Sequence, residues 1–182
     1  AREGVRFTQH YANGPECSPT RTALLTGRYQ QRAGGLECAI GTGNVGRYDD
    51  AISLATKRQL GLPAKQTVLP SALKRAGYAC GVFGKWHLGH HKETLPTANG
   101  FDTYYGIPYS NDMNHPDNKG KPRGGWQGMD ILWADPESTL TKWKTPLFED
   151  EKIVELPVDQ RTITRRYTQK SIDFIKANKD KP

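Results

Sequence analysis

Between Thr67 and Phe83 the sequence changes its hydrophobic period at a single glycine. Leu69, Ala72, Leu73 and Ala76 recur at helical spacing, Gly77 supplies a stop, and Tyr78 to Phe83 follows as a compact apolar strand. A helix that runs straight into a buried strand is the unit of α/β architecture, because the helix covers a face of the sheet that the strand helps to build. The unit also indicates where chemistry belongs. The strand delivers Lys85 and His87 just past its C-terminal end, the edge at which α/β sheets commonly carry functional groups.

Other segments agree with an alternation of strand and helix. Val5 to Tyr11 alternates apolar and polar residues after Gly4 and predicts a strand. Ser18 is placed to cap a helix with Pro19 at its first position, where an N–H is not needed, and Gly27 is placed to close it. Asp159 to Ala177 carries Ile163, Tyr167, Ser171 and Phe174 at helical spacing, and residues 178–182 follow where another strand is expected. The 182 residues suit part of a single domain, and both ends read as cuts inside it. Two long loops interrupt the pattern: Gly41 to Gln66, with a short helix around Asp50 to Leu60, and Ser110 to Val158, rich in Gly, Pro, Asp, Lys and Trp. Long irregular loops inside a compact domain tend to be functional or mobile.

Composition narrows what such a fold recognises. Hydrophobic residues make up 35% of the chain, its mean hydropathy is −0.74, and no apolar run approaches a membrane span. Lys and Arg number 26 against 19 Asp and Glu, a formal charge of +7 spread through the chain without a long block. Aromatic and basic residues form no nucleic-acid module, so nucleic acid is not an expected partner. A basic surface suits polyanions by electrostatic steering; a merely solvated surface has the same composition. Cys17, Cys38 and Cys80 form no C-x-x-C and signal neither a zinc site nor a disulfide framework. Cys80, in the apolar strand, reads as a small core residue; the state of Cys38, including a bridge to Cys80, stays open.

Cys17-Ser18-Pro19-Thr20-Arg21, continuing to Leu25-Thr26-Gly27, joins a nucleophile, a cation and a helix start within one short segment. This C-x-P-x-R run resembles the sulfatase signature. Gly77-Tyr78-Ala79-Cys80-Gly81-Val82-Phe83-Gly84-Lys85-Trp86-His87-Leu88-Gly89 resembles the second signature of that family, and Gly100-Phe101-Asp102 and Gly106-Ile107-Pro108-Tyr109-Ser110-Asn111-Asp112 resemble segments of its arylsulfatase-type members. Four matches in family order make chance agreement a poor explanation. The resemblance implies an α/β, alkaline-phosphatase-like sandwich whose central mixed, largely parallel sheet is flanked by helices, with residues 1–182 forming part of a single catalytic domain. It also implies export to a periplasmic, extracellular or lysosomal compartment, and oxidation of Cys17 to Cα-formylglycine by a formylglycine-generating enzyme.

A sulfate monoester spreads its charge over three oxygens and must expel an alkoxide, so its cleavage needs cations, a strong nucleophile and a proton for the leaving group. By the resemblance, formylglycine at Cys17 hydrates to a diol: one hydroxyl attacks sulfur, and deprotonation of the other releases sulfate. Arg21 would hold the diol, Lys85 would contact it and a sulfate oxygen, His87 would be the base for the second hydroxyl, and Ser110 would touch substrate. Lys85 and His87, two residues apart, would point to one side of an extended segment. A divalent metal, most commonly calcium, would be held by the formylglycine at Cys17 together with carboxylates and an amide from strands outside this chain, leaving the isolated chain inactive. Asp49-Asp50 follows the cysteine and reads as solvated, not as metal ligands; His10 and His115 read as structural or exposed, as do His90 and His91, for which a place facing the pocket is the alternative. Trp126, Trp133 and Trp143 are either sugar-stacking or loop-packing residues. The expected substrate is a sulfated small molecule or carbohydrate, a sulfated carbohydrate being preferred to a small aryl sulfate. A phosphonate or phosphate ester hydrolase of the same superfamily and a non-catalytic anion-binding relative are the alternatives.

Overall fold

The computed structural model of the chain describes residues 3–33, 61–62, 66–111 and 145–181. Helices α1 (Cys17–Thr26), α2 (Gln30–Ala33), α3 (Leu69–Arg75) and α4 (Ile163–Ala177) surround a sheet of β1 (Gly81–Phe83), β2 (Thr103–Gly106), β3 (Leu147–Glu149) and β4 (Lys152–Glu155), in the order β1-β2-β3-β4. β1 and β2 run parallel with Val82 opposite Tyr104, while β2–β3 and β3–β4 are antiparallel. The described sheet is therefore mixed, with its parallel pairing carried by the strand that the helix and Gly77 announced.

Side-chain alternation on β2 divides the core between two faces of the sheet. Tyr104 joins Leu62, Val68, Trp86, Leu88, Leu95 and Phe148, whereas its neighbour Tyr105 joins Ile107, Leu147 and Val158, with Phe83, Ile163 and Tyr167 packed alongside. Each such fully buried large side chain stabilises the fold by about 1.5–3 kcal/mol. α4 lies over the Tyr105 face through one stripe: Tyr167 meets Tyr105 edge-on at 6.2 Å, and Phe174 meets Phe83 at 5.6 Å. Ile163, Tyr167, Ser171 and Phe174 thus share a face, as their spacing predicts.

Several local expectations are corrected. Val5 to Tyr11 forms no strand, and Val5, Phe7 and Tyr11 stand exposed. Alternation makes a strand only where a neighbouring edge receives its backbone hydrogen bonds, and among the described residues nothing pairs with this segment. β1 begins at Gly81 and not at Tyr78, because the Asp102 carboxylate takes the Cys80 N–H at 2.8 Å in place of a ladder carbonyl. The stretch from Ser110 to Val158 contains the β3–β4 hairpin, whose strands of three and four residues are too short for periodicity to register. Asp150 takes a left-handed φ of 53° at its turn, and its carboxylate accepts the Tyr104 N–H at 2.9 Å, tying the hairpin to β2. Cys80 is a buried free thiol, as a core residue should be. Cys38, Asp49, Asp50, His115, Trp126, Trp133, Trp143 and the helix around Asp50 to Leu60 lie outside the described residues.

Candidate active site

α1 starts two residues earlier than the Ser18 cap predicts. Glu16 is its N-cap, Cys17 its first residue, and Pro19 its third; Gly27 ends it in the left-handed region at φ 65°. Ser18 does not cap because its buried hydroxyl donates to the His87 carbonyl at 2.8 Å, a tertiary bond that displaces the local one. The result sets Cys17 in the first turn, which holds no acidic side chain and where backbone N–H groups and the helix dipole favour an anion.

The second segment is brought in by continuation of the parallel pairing. Past the end of β1, the N–H groups of Gly84, Trp86 and His87 donate to the carbonyls of Tyr105, Ile107 and Pro108 at 2.9, 3.0 and 3.0 Å. The two backbones approach so closely at Gly106 that a Cβ there would overlap the Gly84 carbonyl, so only glycine fits. In consequence Lys85 reaches both other parts of the site: its Nζ donates to Cys17 Sγ at 3.0 Å and to Ser110 Oγ at 2.7 Å. From α1, Arg21 Nη1 donates to the Lys85 carbonyl at 2.8 Å. Burial pushes the Arg21 guanidinium below its ordinary pKa, with opposition from Cys17 and Tyr104; it remains a cation.

Cys17, Arg21, Lys85 and Ser110 are therefore assembled from three segments. His87 is buried, and its φ of 62° is left-handed, so the simple alternation expected between Lys85 and His87 does not carry through it. Its main chain is fixed from both sides, by Ser18 and by Pro108. Ser18 is the site-proximal residue that sequence reasoning missed: a serine before a helix proline signals a cap, and no local pattern reveals a carbonyl arriving from position 87. His90 packs edge-on against Tyr109 at 5.9 Å and beside His91 at 4.4 Å.

Among the described residues, no three His, Cys, Asp or Glu side chains gather as a metal site, and Cys17 Sγ meets an ammonium. These residues do not provide the oxygen-rich set that calcium takes, so no step below runs through a metal. Among them, too, no helix is long and apolar enough to cross a membrane.

A family model described as Sulfatase matches residues 1–182. Arylsulfatase G of Rattus norvegicus is 38% identical over 179 residues, covering 96% of this chain and 31% of that protein. N-acetylgalactosamine-6-sulfatase of Mus musculus is 32% identical over 184 residues, covering 96% of this chain and 30% of that protein. The chain spans about a third of the length of these curated relatives. The crystal structure of Ps i-CgsB superposes with a TM-score of 0.62 at 26% identity, covering 94% of this chain and 34% of that one. The mixed sheet flanked by helices is that of the alkaline-phosphatase-like fold. With its signature residues meeting around Lys85 and its whole length matched, the chain belongs to the sulfatase family.

Proposed function

We propose that the full-length protein hydrolyses sulfate esters at the site built on Cys17. The observation that carries this reading is the Lys85 ammonium held between Cys17 Sγ and Ser110 Oγ at the start of α1: a fixed cation, a helix N-terminus and the residue to be modified converge on one point. Membership of the family implies formylglycine and a divalent metal. Formylglycine at Cys17, made by a formylglycine-generating enzyme, supplies as its hydrate one hydroxyl nucleophile and a second whose deprotonation releases sulfate.

The chain's own residues then divide the work. Lys85 binds a sulfate oxygen and opposes the charge that builds on it, while Ser110 fixes the ammonium and offers its hydroxyl to substrate. Arg21 anchors the Lys85 backbone and adds positive charge that burial makes more effective. His87 accepts the proton of the second hydroxyl. A sulfated carbohydrate is the substrate class, supported by the relative named for a 6-sulfated N-acetylgalactosamine and by the formal charge of +7.

Two measurements test this. Mass spectrometry of the Cys17 peptide, after co-expression with a formylglycine-generating enzyme, should find the aldehyde; a thiol that persists while a control sulfatase is converted overturns the mechanism. The modified full-length protein should turn over a sulfated galactosamine sugar faster than the matched phosphate ester. The reverse order makes it a phosphate ester hydrolase, and turnover of neither makes it an anion-binding relative.

A further inference from the structure

Ser18 and Arg21 lie three residues apart in α1, hence on one helix face, and they grip alternate carbonyls of one short segment. Arg21 takes the carbonyl of Lys85 and Ser18 that of His87, both at 2.8 Å. On the opposite side, the Trp86 and His87 N–H groups are bound by the carbonyls of Ile107 and Pro108. The segment 85–87 is thus clamped between α1 and the strand-like stretch after β2.

Within this clamp His87 has a φ of 62°. The other left-handed positions nearby, Gly84 and Gly89, are glycines, for which that conformation is free; a histidine there is strained and persists only where its surroundings over-determine it. The peptide groups on both sides of His87 are held: its N–H by Pro108 and its carbonyl by Ser18. Ser18 is 0% exposed and His87 is 1% exposed, so water cannot replace either partner at the carbonyl.

We propose that Ser18 is a positioning residue: by holding the His87 carbonyl it fixes the left-handed backbone from which the His87 imidazole is aimed at the Cys17 site. Ser18 touches neither substrate nor reacting atoms in this role and acts through His87. The inference rests on the reading of His87 as the base, and it adds a role in turnover for the residue next to Cys17, a position that the C-x-P-x-R run leaves unspecified.

The experiment uses the full-length protein, with every rate expressed per aldehyde because Ser18 lies inside the maturation motif. Ser18→Ala, Ser18→Val and Ser18→Thr are compared with His87→Ala and the double variant Ser18→Ala/His87→Ala. Loss of the hydroxyl in the Ala and Val variants should lower kcat about tenfold with KM changed less than about twofold, and Thr, of the same shape as Val but with a hydroxyl, should restore kcat. The double variant should be no slower than His87→Ala alone, because a residue acting through His87 has nothing left to position. An additive double variant, an unchanged kcat in Ser18→Ala, or variants of which only Thr folds would each overturn the proposal. A normal kcat in His87→Ala would instead remove the base assignment beneath it, separating the two failures.

Discussion

Lys85 is the residue on which three sequence-distant parts of the site meet. In the proposed reaction a lysine between Cys17 Sγ and Ser110 Oγ would lend charge both to a bound anion and to the transition state, and one such contact is typically worth about 3 kcal/mol in the latter. Lys85→Ala in the full-length protein should therefore lower kcat/KM by about a hundredfold or more. Lys85→Arg should recover only part of the loss, because a planar fork cannot reproduce a compact ammonium shared between two partners. Near-normal kcat/KM in the Ala variant, with the aldehyde intact, removes Lys85 from the chemistry. His87 makes a different demand. If it serves the second half of turnover, His87→Ala should release about one alcohol per active site in a burst while steady-state sulfate release falls strongly; a slow turnover without a burst moves its role to the first step. The two motifs marked Cys17, Arg21, Lys85 and His87 as candidates without sight of the fold, and the structure links the first three through the Lys85 side chain and carbonyl. The backbone bonds of Ser18 and Arg21 were not legible, because their carbonyl partners lie 69 and 64 residues away.

At the scale of elements, strong periodicity survived and weak periodicity did not. α4 was legible from four residues at helical spacing, and its docked stripe is that set. α3 was legible from its apolar residues, although its start is set by Ser71, whose hydroxyl donates to the Val68 carbonyl at 2.7 Å and accepts the Val68 N–H at 3.2 Å. The β3–β4 hairpin escaped notice because what holds it is tertiary: Arg166 of α4 pairs with Glu155 and donates to the Tyr105 hydroxyl at 2.9 Å, and Lys170 pairs with Glu149 at 2.5 Å. The Lys170–Glu149 pair is solvent-exposed and contributes little singly, and Arg166–Glu155 is only part-buried, so the ring contacts should dominate the docking of α4. Phe174 is half-buried against Phe83; Phe174→Ala should cost about 1–3 kcal/mol, below the range for a fully buried ring. Denaturant unfolding of the full-length protein should show that loss, while Glu149→Gln should change stability by less than about 1 kcal/mol. The opposite ranking would make the ion pairs the main fastening.

Across the whole molecule, both faces of the sheet bury tyrosines, and that couples the fold to alkaline pH. Burial pushes Tyr109 to about 12, and it does the same to Tyr167, with Tyr105 adding to the shift and Arg166 opposing it. Tyr104, enclosed in the other cluster, is raised well above its ordinary value, again by burial. In the unfolded chain these phenols ionise near 10.0, so above that pH the unfolded state has lost protons that the folded state retains. The folded state then binds more protons than the unfolded one, and the free energy of unfolding must fall as pH rises. The stability attached to these groups is complete below about pH 10 and is lost progressively as pH climbs toward 12. Lys170 acts with the same sign, since its hydrogen bond to Glu149 raises its pKa and is lost on deprotonation. Denaturant midpoints measured on the full-length protein from about pH 8 to about pH 11 should therefore be level at first and then decline above about pH 10. Tyr167→Phe removes one titrating group while keeping the ring on Tyr105, and should make the decline shallower. A slope unchanged in that variant would mean that Tyr167 ionises alike in both states, and that its ring is not enclosed between α4 and the sheet.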